Sequence, residues 1–218
     1  GSITDGDYRP WNTYKEQITS VTFTNIDLNT CDNLLHGLKN CTSIDLSGAS
    51  ITSQCTSCFC MFYECSSLTN VIWPTNIDTS NCTNFYGMFE KCDSLTSVTF
   101  PANFSFSSCK TVEEMFSHCT SLTSVAFLTN ANASGCTDFS GMFINCTSLE
   151  NADISCFDFS SCTDSSHMFQ NCTALESVEM TNTSHAHNTA EWDASFMFYN
   201  CSSLESVDMS HIDTSTCS

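Results

Sequence analysis

Basic residues are nearly missing from this chain. Five Lys and Arg (Arg9, Lys15, Lys39, Lys91, Lys110) stand against 24 Asp and Glu, a formal net charge of -19. Nucleic acid binding needs clustered cations to neutralise phosphates, so this composition excludes it, and the same charge repels an anionic lipid surface. Only 7 Gly and 3 Pro occur in 218 residues, too few for a collagen-like chain or a disordered linker. No run of about 18 apolar residues is present, so no membrane insertion is expected. Marks of catalysis are also missing. The six His (His36, His118, His167, His185, His187, His211) occupy no recurring place beside a Ser or Cys, and no Gly-rich phosphate loop, His-Glu-x-x-His or nucleophile elbow appears. The chain reads as a non-enzyme without a cofactor, whose partners are cations, basic protein patches or neutral glycans.

What the sequence does have is a repeat. Met-Phe followed by a Cys recurs as Met61 to Cys65, Met88 to Cys92, Met115 to Cys119, Met142 to Cys146, Met168 to Cys172 and Met197 to Cys201. Successive Met residues lie 27, 27, 27, 26 and 29 positions apart, and a fixed period of this size marks stacked units that touch only their neighbours. A second Cys column precedes the Met by six residues, at Cys55, Cys82, Cys109, Cys136 and Cys162; in the last full unit Glu191 takes that place. The first unit is aligned with Gly37-Leu38 in place of Met-Phe, between Cys31 and Cys41.

Within each unit, Leu95, Val98 and Phe100, or Leu122, Val125 and Phe127, end in the alternation of a short half-buried strand. Phe85, Met88 and Phe89, at i, i+3 and i+4, lie on one face of a helix. Asp78-Thr79-Ser80 and Asp213-Thr214-Ser215 supply turn and cap residues before the helical stretch. The expected fold is an α/β repeat solenoid of short parallel strands with short helices or helical turns on the other side. Residues 1–7 read as an expression scar, from the opening Gly-Ser, and a leader. Residues 8–30, with Trp11, Tyr14 and the strand-like Ile18 to Phe23, form an N-terminal cap. Residues 31–218 form about seven repeats of 24–29 residues, one solenoid domain open at its C-terminal end.

Met-Phe-x-x-Cys-x-Ser-Leu-x-x-Val, with Asp-Thr-Ser-x-Cys-Thr ahead of the next Met-Phe and Pro10-Trp11-x-x-Tyr14-Lys15-x-x-Ile18 as lead-in, resembles the BspA-like leucine-rich repeats of bacterial and protist surface proteins. The resemblance covers residue 10 to the end. It implies a right-handed leucine-rich-repeat coil and an extracellular or cell-surface adhesion role. This chain departs from the family by placing Cys in its first column, where the family usually has an aliphatic residue.

Seventeen cysteines leave three readings open. In a secreted chain such density suggests disulfides, either within repeats (Cys31–Cys41, Cys55–Cys65, Cys82–Cys92, Cys109–Cys119, Cys136–Cys146, Cys162–Cys172) or between them (Cys92–Cys109, Cys201–Cys217). Ten residues of unbroken helix would span about 15 Å, so the first scheme requires the chain to fold back. The second reading is a ladder of reduced thiols inside the core. The third is metal, prompted by Cys55-Thr56-Ser57-Cys58-Phe59-Cys60 with Cys65 following. Since Cys55 and Cys65 already belong to the columns, no metal site is assigned, and His185 and His187 read as loop.

The strand face carries the functional hint. Its outward position runs Ile72, Thr99, Ala126, Asp153, Glu179, Asp208, and the residue after the Leu runs Thr69, Thr96, Thr123, Glu150, Glu176, Glu205. Stacked coils bring equivalent residues to about 5 Å, where like charges repel. A host or matrix protein with basic residues, or Ca²⁺, would offset that repulsion. Asn-x-Ser/Thr sequons at Asn40, Asn81, Asn103, Asn132, Asn145, Asn171, Asn182 and Asn200 are glycosylation candidates. The leading expectation is therefore a recognition or adhesion module binding protein or glycan through its strand face. The rival is a structural protein whose open end stacks head-to-tail on the cap of another copy, building a filament.

Overall fold

The computed structural model describes residues 2–3, 9–127, 133–180 and 192–208. Its strands are β1 (Ser2–Ile3), β2 (Ser20–Leu28), β3 (Ser43–Ile51), β4 (Asn70–Ile72), β5 (Asn76–Ile77), β6 (Ser97–Thr99), β7 (Ser124–Ala126), β8 (Asn151–Asp153) and β9 (Ser177–Glu179). Every pairing among them is parallel. In the first sheet the order is β1-β2-β3-β4, with β5 also on β3; β6 pairs with β7 and β8 with β9. The inward residue of each strand meets its equivalent in the next coil, as in Ile44 with Val71, Val98 with Val125 and Ala152 with Val178. A second parallel ladder of single bridges runs through Ser57, Asn84, Thr111, Asp138, Asp164 and Asp193. The result is a parallel solenoid.

The expected helical side is not found. Among the described residues the only helices are two 3-10 segments, Pro10–Gln17 and Phe159–Ser161, and none is long and apolar enough to cross a membrane. The Met-Phe stretch is instead a chain of tight turns. Its amides alternate between the carbonyl three residues back, as in Glu90 to Gly87 at 3.1 Å, and a carbonyl of the next coil, as in Phe89 to Met115 at 2.8 Å. Two left-handed residues per coil enforce this, for example Gly87 (φ 54°) and Lys91 (φ 59°), and one such residue breaks a right-handed helix. Phe85, Met88 and Phe89 are nevertheless fully buried, so the face is as read and only the backbone differs.

The first unit is also shifted from its expected alignment. The amide of Leu35 donates to Met61, as that of Phe62 donates to Met88. Leu34-Leu35, not Gly37-Leu38, therefore stands where later units have Met-Phe. Leu38 takes the place of Cys65, Cys41 that of Leu68, and Cys31 that of Cys58. Apolar residues at 34 and 35 can fill the core position, which Gly37 cannot.

At the N-terminal end β2 already forms a rung of the ladder, pairing Val21 with Ile44. The 3-10 segment before it covers the core, with Trp11 Nε1 donating to Leu34 O at 3.1 Å and its ring edge-on to Phe23. Along the interior, Phe62, Phe89, Phe116, Phe143, Phe169 and Phe198 form a continuous ring stack with centroids 5.0–5.5 Å apart. That rise matches the spacing of paired strands, so one aromatic per coil propagates the stack.

Candidate functional site

The strand face presents two acidic columns. Asp153 and Glu179 are register partners at the ends of β8 and β9. Glu150 and Glu176 lie on adjacent rungs, where the amide of Glu176 donates to Glu150 O at 2.8 Å. Glu205 and Asp208 continue both columns, and all six residues are exposed. In the earlier coils threonines hold the place of Glu150 and Glu176, and Thr69 and Thr123 turn their hydroxyls onto the carbonyls of Thr42 and Thr96. A carboxylate cannot donate in that way, so the face changes from hydroxyls bonded to the neighbouring coil to acids, of which Asp153 accepts from the amide and hydroxyl of Ser155 at 3.0 and 2.6 Å. Three of the chain's five cations are engaged elsewhere: Lys39 pairs with Glu64 at 3.7 Å and Lys91 with Glu90 at 3.1 Å on the turns, while Lys110 donates to Gly135 O. No Lys or Arg follows Lys110 in the sequence.

A further acidic group lines the turn edge. Asp138, Asp164 and Asp193 each accept the amide two residues on, a local turn bond. Glu113 beside them has its pKa pushed up to about 7, first by burial and then by the charges of Asp138, Glu114 and Asp164.

Neither disulfide scheme is formed among the described residues. Cys31, Cys41, Cys55, Cys65, Cys82, Cys92, Cys109, Cys119, Cys136, Cys146, Cys162, Cys172 and Cys201 are all free thiols, and Cys217 lies outside those residues. The physical reason is where each column points. In the second column Cys65, Cys92, Cys119, Cys146, Cys172 and Cys201 donate to a carbonyl of the preceding coil, at 3.0–3.2 Å. Burial pushes the thiols of Cys92, Cys119 and Cys146 well up. The first column stacks on itself, with Cys109 and Cys136 sulfurs 3.8 Å apart.

One group of thiols breaks this order. The sulfurs of Cys31, Cys55 and Cys58 all lie within 4.8 Å of one another, and Cys82 Sγ is 3.7 Å from Cys55 and 3.9 Å from Cys58. Thiol contacts from Cys31, Cys58 and Cys82 hold the Cys55 pKa below the ordinary value. The sequence placed Cys60 and Cys65 beside Cys55; the structure replaces them with Cys31 and Cys82. The signal that would have found Cys31 is its alignment with Cys58, hidden by the shifted first unit.

Of the sequons, Asn40 and Asn81 donate through Nδ2 to Glu16 O and Ser53 O. Asn145, Asn171 and Asn200 form an amide ladder at 2.7 and 3.0 Å, begun by His118. Asn103 is exposed, and Asn132 and Asn182 lie outside the described residues, as do Glu191, His185, His187 and His211. His36 meets the Tyr63 ring edge-on and His167 stacks on Phe196.

The parallel coil, with its strand face and tight-turn edge, defines a leucine-rich-repeat-like solenoid. The family described as Mycoplasma protein of unknown function, DUF285, matches residues 30–127 and 113–218. The chain belongs to this family. Its fold is similar to the Leucine Rich Repeat protein of T. pallidum, with a TM-score of 0.56 at 17% identity over 86% of this chain and 78% of that one. A leucine-rich-repeat protein of Bacteroides ovatus aligns with TM-score 0.32 at 18% identity, over 86% of this chain and 62% of its own. A leucine rich cell surface protein of Faecalibacterium prausnitzii gives 0.26 at 14% identity, over 94% and 85%. These last two superpose too loosely to support more. No curated protein matches the chain. The BspA-like resemblance is thus met at the level of the leucine-rich-repeat fold.

Proposed function

We propose that this chain is a non-catalytic recognition module, extracellular or at the cell surface, that binds a protein through the C-terminal half of its strand face. The observation that carries this reading is the register of Asp153 with Glu179, flanked by Glu150, Glu176, Glu205 and Asp208, in a stretch of sequence without a single Lys or Arg. Like charges held side by side cost stability. A surface that keeps them gains electrostatic complementarity to a basic partner, which raises association rate and selects against acidic partners. The leucine-rich-repeat fold supports the reading, because a stacked coil offers an extended surface for docking, and the surface location rests on the BspA-like motif.

The experiment is a binding panel of immobilised basic proteins, acidic proteins and neutral glycans, each with and without Ca²⁺. Salt-sensitive binding to the basic proteins, lost on neutralising Glu150, Glu176 and Glu179 together, supports the proposal. Glycan binding unaffected by those changes overturns it in favour of the other surface, and a Ca²⁺-dependent rise in melting temperature identifies the ion as the occupant.

A further inference from the structure

Along the first column a thiol stacks above a thiol, and a spacing such as the 3.8 Å between Cys109 and Cys136 is what the ladder itself imposes. The neighbouring inward position, three residues on, is Phe85, Val112 and Phe139 in later coils, all fully buried. In the first two coils that position is Cys31 and Cys58. Two thiol columns therefore overlap there, and a core that needed only packing would lose volume and dispersion contacts by the exchange. The overlap gathers Cys31, Cys55, Cys58 and Cys82, each with no exposed surface.

Their geometry suits a metal. Zinc bonds thiolate sulfur at about 2.3 Å in a tetrahedron, which sets sulfur–sulfur edges of about 3.8 Å. The Cys55–Cys82 and Cys58–Cys82 separations are 3.7 and 3.9 Å, Cys31, Cys55 and Cys58 lie mutually within 4.8 Å, and Cys82, outside that mutual group, has to draw toward Cys31 when the metal binds. Cys55 and Cys58 form a C-x-x-C pair, and Cys31 and Cys82 come from the coil before and the coil after. All-thiolate sets select zinc and other soft ions over Ca²⁺ or Mg²⁺.

We propose that Cys31, Cys55, Cys58 and Cys82 bind one Zn²⁺ as a closed tetrathiolate staple across three successive coils. On binding, each thiol releases its proton to solvent and forms one sulfur–metal bond, and no electron is transferred. The ion's role is structural: it joins coils that otherwise meet through backbone bonds and packing.

The test uses the full chain, reduced, stripped with a chelator and titrated with Co²⁺ and then Zn²⁺. The expected result is one Co²⁺ per chain, with the visible absorption of a tetrahedral thiolate site, its displacement by Zn²⁺, and a rise in melting temperature with Zn²⁺. Cys31→Ser and Cys58→Ser should lose the absorption, whereas Cys109→Ser and Cys136→Ser, in the plain column, should keep it. Circular dichroism confirms that each variant is folded. Should a serine variant not fold, Cys31→Val serves in its place. Folded wild-type chain without the cobalt absorption overturns the proposal, as does an unchanged spectrum in the Cys31 and Cys58 variants. So does a Cys55–Cys82 disulfide found by mass spectrometry of the unreduced chain.

Discussion

The rings of Phe89 and Phe116 lie 5.4 Å apart with their planes within 3° of parallel. Phe143 continues the stack on the far side of Phe116 at 5.5 Å. Such regularity follows from equivalent residues on coils that rise by one strand spacing. Phe116→Ala empties a fully buried site and unstacks both neighbours, so it should cost about 3–5 kcal/mol in urea unfolding. A cost near that of a surface change would mean that the coils are not stacked in this register.

The left-handed position before the second cysteine column is Asn145, Asn171 and Asn200 in the last coils, with φ of 62–63°. Asn tolerates that region better than other residues with a Cβ, and here it also donates its amide along the ladder. Asn171→Ala should cost about 1–2 kcal/mol through backbone strain alone, with the lost amide bonds adding to it. Asn171→Gly, which removes the same bonds but relieves the strain, should cost less. Equal losses in thermal melts would place the stabilisation in the side-chain bonds and not in the backbone.

Much of this fold was legible in the sequence, for identifiable reasons. Val98 and Phe100 alternate with polar residues, and both are buried on the inward face. Phe85, Met88 and Phe89 are spaced as on a helix, and that spacing misled because a turn chain buries the same residues while Gly87 and Lys91 reverse the backbone. Gly87 and Gly141 just before the Met, and Asn145, Asn171 and Asn200 before the Cys, were the available signal. The ten-residue spacing of Cys31 and Cys41 imitates that of the column pairs although Cys31 is the counterpart of Cys58, so its meeting with Cys55 and Cys58 is hidden in the sequence. The acidic strand columns needed no structure, because a period of two and a fixed repeat suffice to place them.

Glu113 gives the fold a pH dependence. Its carboxyl titrates at about 7 in the fold against about 4.3 in an unfolded chain, so the folded state holds the proton more tightly. The resulting stabilisation is complete below about pH 4 and is lost as pH rises through 7, above which the ionised group weighs against the fold. Glu113→Gln should therefore raise the melting temperature at pH 8 and leave it almost unchanged at pH 4. A difference independent of pH would show that Glu113 is not held in this acidic surrounding.

Asp153 and Glu179 face each other across β8 and β9. Because Asp153 also accepts from Ser155, the clean test is Glu179→Gln, which should stabilise the unliganded chain by about 0.2–1 kcal/mol at low salt. That gain should vanish near 1 M salt, where the screening length falls to about 3 Å. Destabilisation on neutralisation would mean that the carboxylate has a stabilising local partner.

Calorimetric titration of the chain with a lysine-rich peptide, at low and at physiological salt, tests most directly whether the acidic strand face is a binding surface. Binding should weaken as salt rises, and replacing Glu150, Glu176 and Glu179 by Gln should weaken it at least about tenfold, a loss of about 1.4 kcal/mol. Unchanged affinity in that triple variant, with its fold intact, would contradict the assignment of this face.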